Sequence, residues 1–414
     1  MNNLPLSRRG FLAASGAGAL ATLAPPLARA ADGAKDAAAA TNAFSADLYR
    51  RLAGPTSEEK GNLFFSPFSI EAALAMTSAG ARGTTLDEMQ KVLHLPKEPH
   101  AAFGELFGRL NVKTDDVKRS YGLSVANAIW AQKGYPWEKE FTDLTRKHYG
   151  AGTVETDFAE SEAARAQINK WVEKETREKI KNIIGPGVIT ALTRMVLANA
   201  IYFKSNWLYQ FDKKNTKDAP FALADGKKAE VPLMHLSGKL KYGEMRTFVT
   251  RVGEITQVLE LPYAGKDLSM LVLLPEARSG VHRLAQWLGG KTLDTVKLAE
   301  TEVKVWLPRF KSESAISLKP VLSDMGMRAA FGNADFTGMS PKGKELYISH
   351  VLHKAFVDVN EEGTEAAAAT VVVVKGKSKP PEPKEFRADR PFVYVIRDNA
   401  TGATLFMGRY MGPV

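Results

Sequence analysis

The sequence predicts one large α+β domain. Three observations carry that prediction. Segments with helix spacing and segments with strand spacing are mixed along the 414 residues without strict alternation. No internal repeat occurs, and no linker interrupts the chain before residue 360. The composition, 44% hydrophobic and 25% charged, suits a chain that buries a core and excludes disorder of the whole chain. The absence of cysteine excludes a disulfide framework, a zinc site of the cysteine type and a thiol nucleophile. The net charge of +10 is interleaved along the chain, Lys and Arg alternating with Asp and Glu. It reads as a solvated mixed-charge surface, with no RNP-like, zinc-finger or basic-zipper pattern for nucleic acid.

Taken in order, residues 1–30 read as an address. Arg8 and Arg9 form a twin-arginine pair, an uncharged apolar run follows from Phe11 to Ala24, and Ala28-Arg29-Ala30 fits a small-x-small cleavage site. The run is shorter than the roughly 20 residues that a spanning helix needs. Export by the twin-arginine route to the periplasm or beyond is expected, with Ala31 as the new first residue. Residues 31–41 (ADGAKDAAAAT) are small and polar and are expected to form a flexible leader; the domain proper is expected over 42–414.

Residues 66–93 read as two helices broken at Gly80 to Gly83, with Thr85 and Glu88 at capping-box spacing for the second. Residues 161–184 read as one amphipathic helix, with Ile168, Trp171, Val172, Ile180, Ile183 and Ile184 on or near one face, ended by Gly185-Pro186-Gly187. Strands are predicted over 194–204, over 254–262 and 267–275 with a turn at Ala264-Gly265, over 302–310, over 346–359, and as a final hairpin over 391–397 and 403–409.

Residues 361–390 (EEGTEAAAATVVVVKGKSKPPEPKEFRADR) do not fit this pattern of short connections. Loops beyond roughly 15 residues are usually functional or disordered. In strand geometry Thr364, Ala366, Ala368, Thr370, Val372 and Val374 share one face, and all are small or β-branched. Pro380, Pro381 and Pro383 forbid a regular central strand in the second half. Composition alone leaves a plain surface loop open. A hydrolase reading fails: Ser349, His350 and His353 lie close in sequence, but there is no G-x-S-x-G elbow and no zinc-protease spacing.

Several segments carry a resemblance. The stretch EEGTEAAAAT is similar to the inhibitory hinge of the serpin family. NLFFSPFSI, LANAIYFKSNW, LPYAGKDLSMLVLLP, LPRFK and ADRPFVYVIRDNATGATLFMGR match other serpin segments in the same order, over essentially the whole chain after residue 41. The resemblance implies a serpin fold: a large central β-sheet, two smaller sheets, about nine helices and an exposed reactive-centre loop, here 361–390. It implies suicide-substrate inhibition, in which a serine protease cleaves the loop and the cut loop enters the central sheet. Glu361, Gly363, Thr364, Glu365, Ala366, Ala367, Ala368, Ala369 and Thr370 form the implied hinge, with Gly363 as pivot.

The family's cut bond lies fourteen residues beyond the hinge glycine, which here gives Lys377–Ser378. Lys375–Gly376 is the alternative bond, and proline disfavours Lys379–Pro380. A lysine before the bond suits trypsin-like proteases, whose specificity pocket ends in a carboxylate. By the same resemblance Ser66, Ser69, Asn199 and His353 match the polar cluster beneath the strands that must part. Trp207 matches the aromatic where insertion begins, and Arg309 and Glu361 occupy positions that pair at the top of the sheet. The implied partner is a trypsin-like serine protease held as a covalent acyl complex. A monomer is expected, with no cofactor, no metal, no nucleic acid, no membrane span and no enzymatic activity of its own. The rival reading is a serpin that does not inhibit and acts as a binding or chaperone-like protein. Bulky, charged or proline residues in the hinge would mark it, and this hinge has none on its inward face.

Overall fold

In the computed structural model, the structure describes residues 26–54, 60–110, 121–150, 152–249, 252–288, 296–364 and 382–413. Two sheets and eight helices are found among them.

The six-stranded sheet runs β10 (Phe310–Ser317), β11 (His350–Val359), β12 (Gly363–Thr364), β4 (Met195–Asn206), β2 (Tyr121–Gln132), β3 (Thr153–Thr156). β4 lies at its centre and is buried almost throughout, so its run MVLANAIYF lacks a polar face. The nine-stranded sheet has the order β1 (Leu63–Phe65), β15 (Thr404–Tyr410), β14 (Phe392–Asp398), β8 (Leu268–Pro275), β7 (Val252–Pro262), β6 (Lys228–Val249), β9 (Ala299–Pro308), β13 (Lys384–Arg387). β5 (Lys217–Ala222) pairs with β6 beside this path.

The 22-residue β6 is shared by three partners in this sheet. It pairs with β5 over Lys228–Leu233, with β9 over Leu233–Tyr242 and with β7 over Lys241–Val249. The final hairpin of the chain, β14 with β15, is buried almost throughout, and Phe64, Phe310, Phe392, Tyr394, Phe406 and Tyr410 pack there ring to ring.

Three expectations need correction. Residues 31–41 are not a flexible leader: they lie within helix α1 (Pro26–Ala53). Ala34, Ala37, Ala38, Thr41, Phe44, Ser45 and Leu48 are buried at helical spacing, so the alanines are both strong helix formers and a close-packing face. The amphipathic helix that starts at 161 is α6 (Ser161–Glu175) and stops well short of 184. Ile180, Ile183 and Ile184 still pack beside Ile168 and Val172, but from a folded-back segment rather than from the helix.

The third correction concerns helix α3 (Gly83–Val92), whose N-cap is Arg82 with no side-chain cap. Thr85 and Glu88 are used elsewhere. Thr85 Oγ1 accepts from the Asp335 amide at 2.9 Å, and Glu88 Oε2 accepts from the amides of Arg328 and Ala329 at 2.7 Å each. A long-range partner displaced the local one.

Helix α2 (Pro67–Ser78) is buried at every residue, between the sheets and α1, α4 (Pro99–Leu110) and α5 (Lys139–Tyr149). It brings Glu71 into the core. Its carboxyl faces the Thr41 hydroxyl, yet among the described residues neither oxygen has a well-formed hydrogen bond. Burial pushes its pKa well above the usual carboxylate value, only partly opposed by Thr41. The folded chain therefore keeps a proton that the unfolded chain releases, so raising the pH above about 4.5 favours unfolding. Glu71→Gln keeps the shape and removes the titration. We expect the variant to be more stable than the parent at neutral pH, the difference closing as the pH falls below 4.5. Denaturant melts of both proteins across that range test this, and parallel curves would refute it.

Candidate functional site

The candidate residues gather along one seam, the junction of β4 with β11. At one end the two strands pair directly and in parallel, His350–Ala355 against Val196–Ile201. At the other end β12 stands between them. Gly363 pairs with Asn206 and Thr364 with Ser205 on β4, while Thr364 pairs with Val359 on β11. Gly363 and Thr364, just ahead of the alanine run, thus already occupy a strand position inside the sheet.

Gly363 is required at this point by space. A Cβ there would lie 2.2 Å from the Ser205 carbonyl oxygen and 2.6 Å from the Asn206 Cα. Thr364 is buried, and its hydroxyl shares a hydrogen bond of 2.8 Å with the Tyr263 hydroxyl. Burial raises the Tyr263 pKa, so that phenol stays protonated. Tyr263 stacks on Trp207 at 4.6 Å between ring centres. Trp207 holds the turn before Gly363 by two bonds of 2.9 Å each, from its amide to the Glu362 carbonyl and from its indole N–H to the Asn360 carbonyl.

Glu361 is buried beside this turn. Its carboxylate accepts from the Thr216 hydroxyl at 2.8 Å and lies 3.6 Å from Arg309 Nη1. The arginine is half exposed, so solvent screens this ion pair, and the Thr216 bond is the better-defined contact.

Lower on the seam, Ser66, Ser69, Asn199 and His353 converge in a fully buried cluster. The Ser66 amide donates to His353 Nε2 at 3.0 Å. An amide has only a proton to give, so Nε2 is an acceptor and Nδ1 carries the ring proton. Nδ1 donates to Asn199 Oδ1, and Asn199 Nδ2 donates to the Ser69 carbonyl at 2.8 Å and to Asn127 Oδ1. Ser66 Oγ caps α2 by accepting from the Ser69 amide at 3.2 Å, and donates to the Leu405 carbonyl at 2.6 Å. Burial holds the His353 pKa down to about 3, which keeps the ring neutral and this pattern intact.

The residues that sequence reasoning missed are Asn127, Tyr263, Asn360 and Thr216. Asn127 had a visible signal: Ala-Asn-Ala-Ile occurs at 126–129 and again at 198–201. The two copies pair antiparallel with Asn127 opposite Asn199, and His353 lies opposite Asn199 on the other side. One polar rung therefore crosses β2, β4 and β11. Asn360 accepts through Oδ1 from the amides of Glu362 and Gly363, an Asx turn that needs no partner outside the hinge. Ser349 does not approach His353; its hydroxyl accepts from the Arg194 amide at 3.0 Å.

Glu365, Ala366, Ala367, Ala368, Ala369 and Thr370 of the hinge, and Lys377 and Ser378 of the expected cut bond, lie outside the described residues. The far end of 361–390 is a strand, not loop. β13 pairs in parallel with β9, Lys384 with Val303 through Arg387 with Trp306. Arg387 stacks on Trp306 at 5.2 Å, and Arg390 Nε donates to the Pro275 carbonyl at 2.8 Å. The segment is thus tied to a different sheet at each end.

Residues 39–413 match the family model described as serpin, serine protease inhibitor. A serpin-like protein of Thermococcus kodakarensis is 41% identical over 90% of this chain and 85% of its own length. The leukocyte elastase inhibitor of Sus scrofa is 41% identical over 91% of this chain and 99% of its own. Among solved structures, the specific serpin Serpin48 of the insect Tenebrio molitor superposes with a TM-score of 0.80 at 32% identity, covering 92% of this chain and 98% of its own.

The rung makes a prediction about protonation. At pH 5, where an exposed imidazole is charged, His353 should still show the nitrogen shifts of a neutral ring protonated at Nδ1. Because its folded pKa is depressed, its contribution to stability is present above about 6.5 and is lost as the pH falls toward about 3. Nitrogen-15 NMR of labelled histidine measures this directly, and a charged ring at pH 5 would contradict the assignment.

Proposed function

This chain belongs to the serpin family, and on that premise we propose that it is a suicide-substrate inhibitor of trypsin-like serine proteases. The observation that carries the reading is the placement of Gly363 and Thr364 between β4 and β11, ahead of an alanine- and valine-rich run. Continued in the same register on both neighbours, the strand would bring Thr370 opposite Asn199 and opposite His353. That is the polar rung, so a hydroxyl would arrive where hydrogen-bonding groups already sit. Ala367, Ala369, Val371 and Val373 would face the other side, over Ala198 and Ala200.

The cycle follows from ordinary acyl transfer. The protease serine attacks the Lys377 carbonyl, the Lys377–Ser378 bond breaks, and Ser378 leaves as a free amine with the proton carried by the protease histidine. Lys377 remains as the acyl group on the serine. Cleavage frees the hinge side of the loop from β13. About 12 residues, roughly 40 Å of strand, then extend β12 along the seam and draw the acyl-enzyme with them. At about 1 kcal/mol net per new ladder bond, the driving force is on the order of 10 kcal/mol before ordering costs, with burial of the valines added. Water reaches the acyl bond too late if insertion outruns deacylation.

Mixing the protein with trypsin near equal amounts tests the reading. A denaturant-resistant complex of the summed mass, with release of a peptide starting at Ser378, is the expected result. Clean cleavage without a complex would make it a non-inhibitory serpin, and a peptide starting at Gly376 would move the bond to Lys375. Thr364→Arg places a charge where a hydroxyl is now buried, and should convert inhibitor into substrate. Full inhibition by that variant would defeat the mechanism.

We also propose that the protein acts after export by the twin-arginine route, which Arg8 and Arg9 support. Replacing both with lysine should hold the chain in the cytoplasm of an expressing cell. Unchanged export would remove this part of the reading.

A further inference from the structure

The face of the β4–β11 seam away from α2 carries a cover. Ala164, Ile168 and Val172 of α6 and the following Ile180, Ile183, Ile184 and Ile189 pack on Ala126, Ala128, Val196, Ala198, Ala200 and Leu352. These residues form a hydrophobic cluster distinct from the main core. Apart from Trp130, whose ring meets Trp171 of α6 edge-on, the strands beneath offer methyl groups, so the area buried per residue there is small. A strand extending down the seam would pass directly under this cover.

The helix ends on two consecutive left-handed residues, neither of them glycine. The Glu178 amide bonds the Glu173 carbonyl at 2.8 Å and the Arg177 amide bonds the Lys174 carbonyl at 3.3 Å, the paired closure of a Schellman motif. That closure needs a left-handed residue, which is usually glycine. Here Arg177 has φ 53° and Glu178 has φ 62°. Gly150 takes the left-handed place after α5, at φ 61°, and Gly326 after α8 (Lys319–Met325), at φ 117°; His94, at φ 51°, closes α3 through the same pair of bonds, so what sets α6 apart is two left-handed residues in a row.

Strained backbone persists only where its surroundings over-determine it. Here both flanks are pinned. Thr176 Oγ1 donates to the Val172 carbonyl at 2.7 Å and accepts from the Ile180 amide at 3.2 Å. Asn169 exchanges two bonds with the Ile184 backbone, at 3.0 and 2.9 Å, and Lys354 Nζ on β11 donates to the Lys181 carbonyl at 2.9 Å. The three isoleucines pull the chain back onto the sheet, and the turn absorbs the cost.

We infer that the Arg177–Glu178 turn is a strained catch that lowers the stability of the α6 cover and thereby sets how readily the seam opens. The link to insertion rests on the function proposed above; the catch itself does not. Glu178 is exposed, so Glu178→Gly relieves one of the two left-handed strains without removing buried contacts. Glu178→Ala removes the carboxylate but keeps the Cβ and the strain.

Native-state hydrogen exchange of the uncleaved protein reads the catch directly. Glu178→Gly should slow exchange of the α6 amides about three- to ten-fold, the relief being partly offset by the greater freedom of glycine in the opened state. Glu178→Ala should not slow it. Unchanged or faster exchange in the glycine variant, or equal slowing in the alanine variant, would overturn the catch. With trypsin, the glycine variant should yield more cleaved, uncomplexed product than the parent. Slowed exchange with an unmoved product ratio would overturn the link between cover and insertion. If the parent itself forms no complex, the proposed function fails and the exchange result alone decides the catch.

Discussion

The structure depends on a seam that is held shut by hydrogen bonds between side chains rather than by apolar packing alone. His353, Asn199 and Asn127 lie on one rung of three adjacent strands, and the α2 N-terminus supplies the donor that fixes the imidazole tautomer. A buried polar row is stable only while every member is partnered. It also exchanges one partner for another at little cost, which an apolar row of the same size does not, because polar groups re-form bonds with whatever polar group replaces the first. The parallel β4–β11 contact is therefore both specific and replaceable.

Two other elements act on the same seam from its ends and its face. At the top, Trp207, Tyr263 and the Asx turn at Asn360 hold Gly363 and Thr364 in the sheet, so the first ladder positions beyond the turn are already ordered. Nucleating a new strand is the unfavourable part of adding one, since ordering costs precede the bonds that repay them. On the face, α6 rests on four alanines together with Trp130, Val196 and Leu352. The alanines of that floor limit how much apolar area the cover buries. Hinge, rung and cover are separate in sequence, and share only β4 and β11.

Much of this was legible from residues alone. The 361–390 segment stood out because its first half has strand chemistry and its second half has proline and lysine. The deep strands announced themselves by unbroken apolar runs. What failed, failed for identifiable reasons. Ala-rich 31–41 looked like a leader because alanine signals helix only when a packing face is known, and the partners on α4 lie more than sixty residues away. The end of α6 was overrun because Ile180, Ile183 and Ile184 keep a helical spacing while the chain reverses through Arg177 and Glu178, residues with no turn preference. Thr85 and Glu88 have local capping spacing but are claimed by amides from the 328–335 region. Asn127 was missed because a polar residue in a strand reads as surface until its neighbour across the ladder is known.

Helix α2 shows why the seam and the helical layer behave as one body. A helix buried at all twelve positions has no solvent face on which to leave a polar side chain idle. Thr77 and Ser78 return their hydroxyls to the helix's own carbonyls, at 2.8 and 2.7 Å. The Ser66 hydroxyl caps the helix and donates to the Leu405 carbonyl, and the Ser69 hydroxyl accepts from Asn199 on the rung. Glu71 alone has no such outlet, and it faces α1 rather than the seam. The two buried titratable groups attached to this helix thus pull in opposite directions. Acid removes the cost of Glu71 and charges His353; base does the reverse. Only as the pH falls toward about 3 does the His353 ring take a proton in the folded chain, and that proton would break the bond from Ser66 and with it the anchor between α2 and β11.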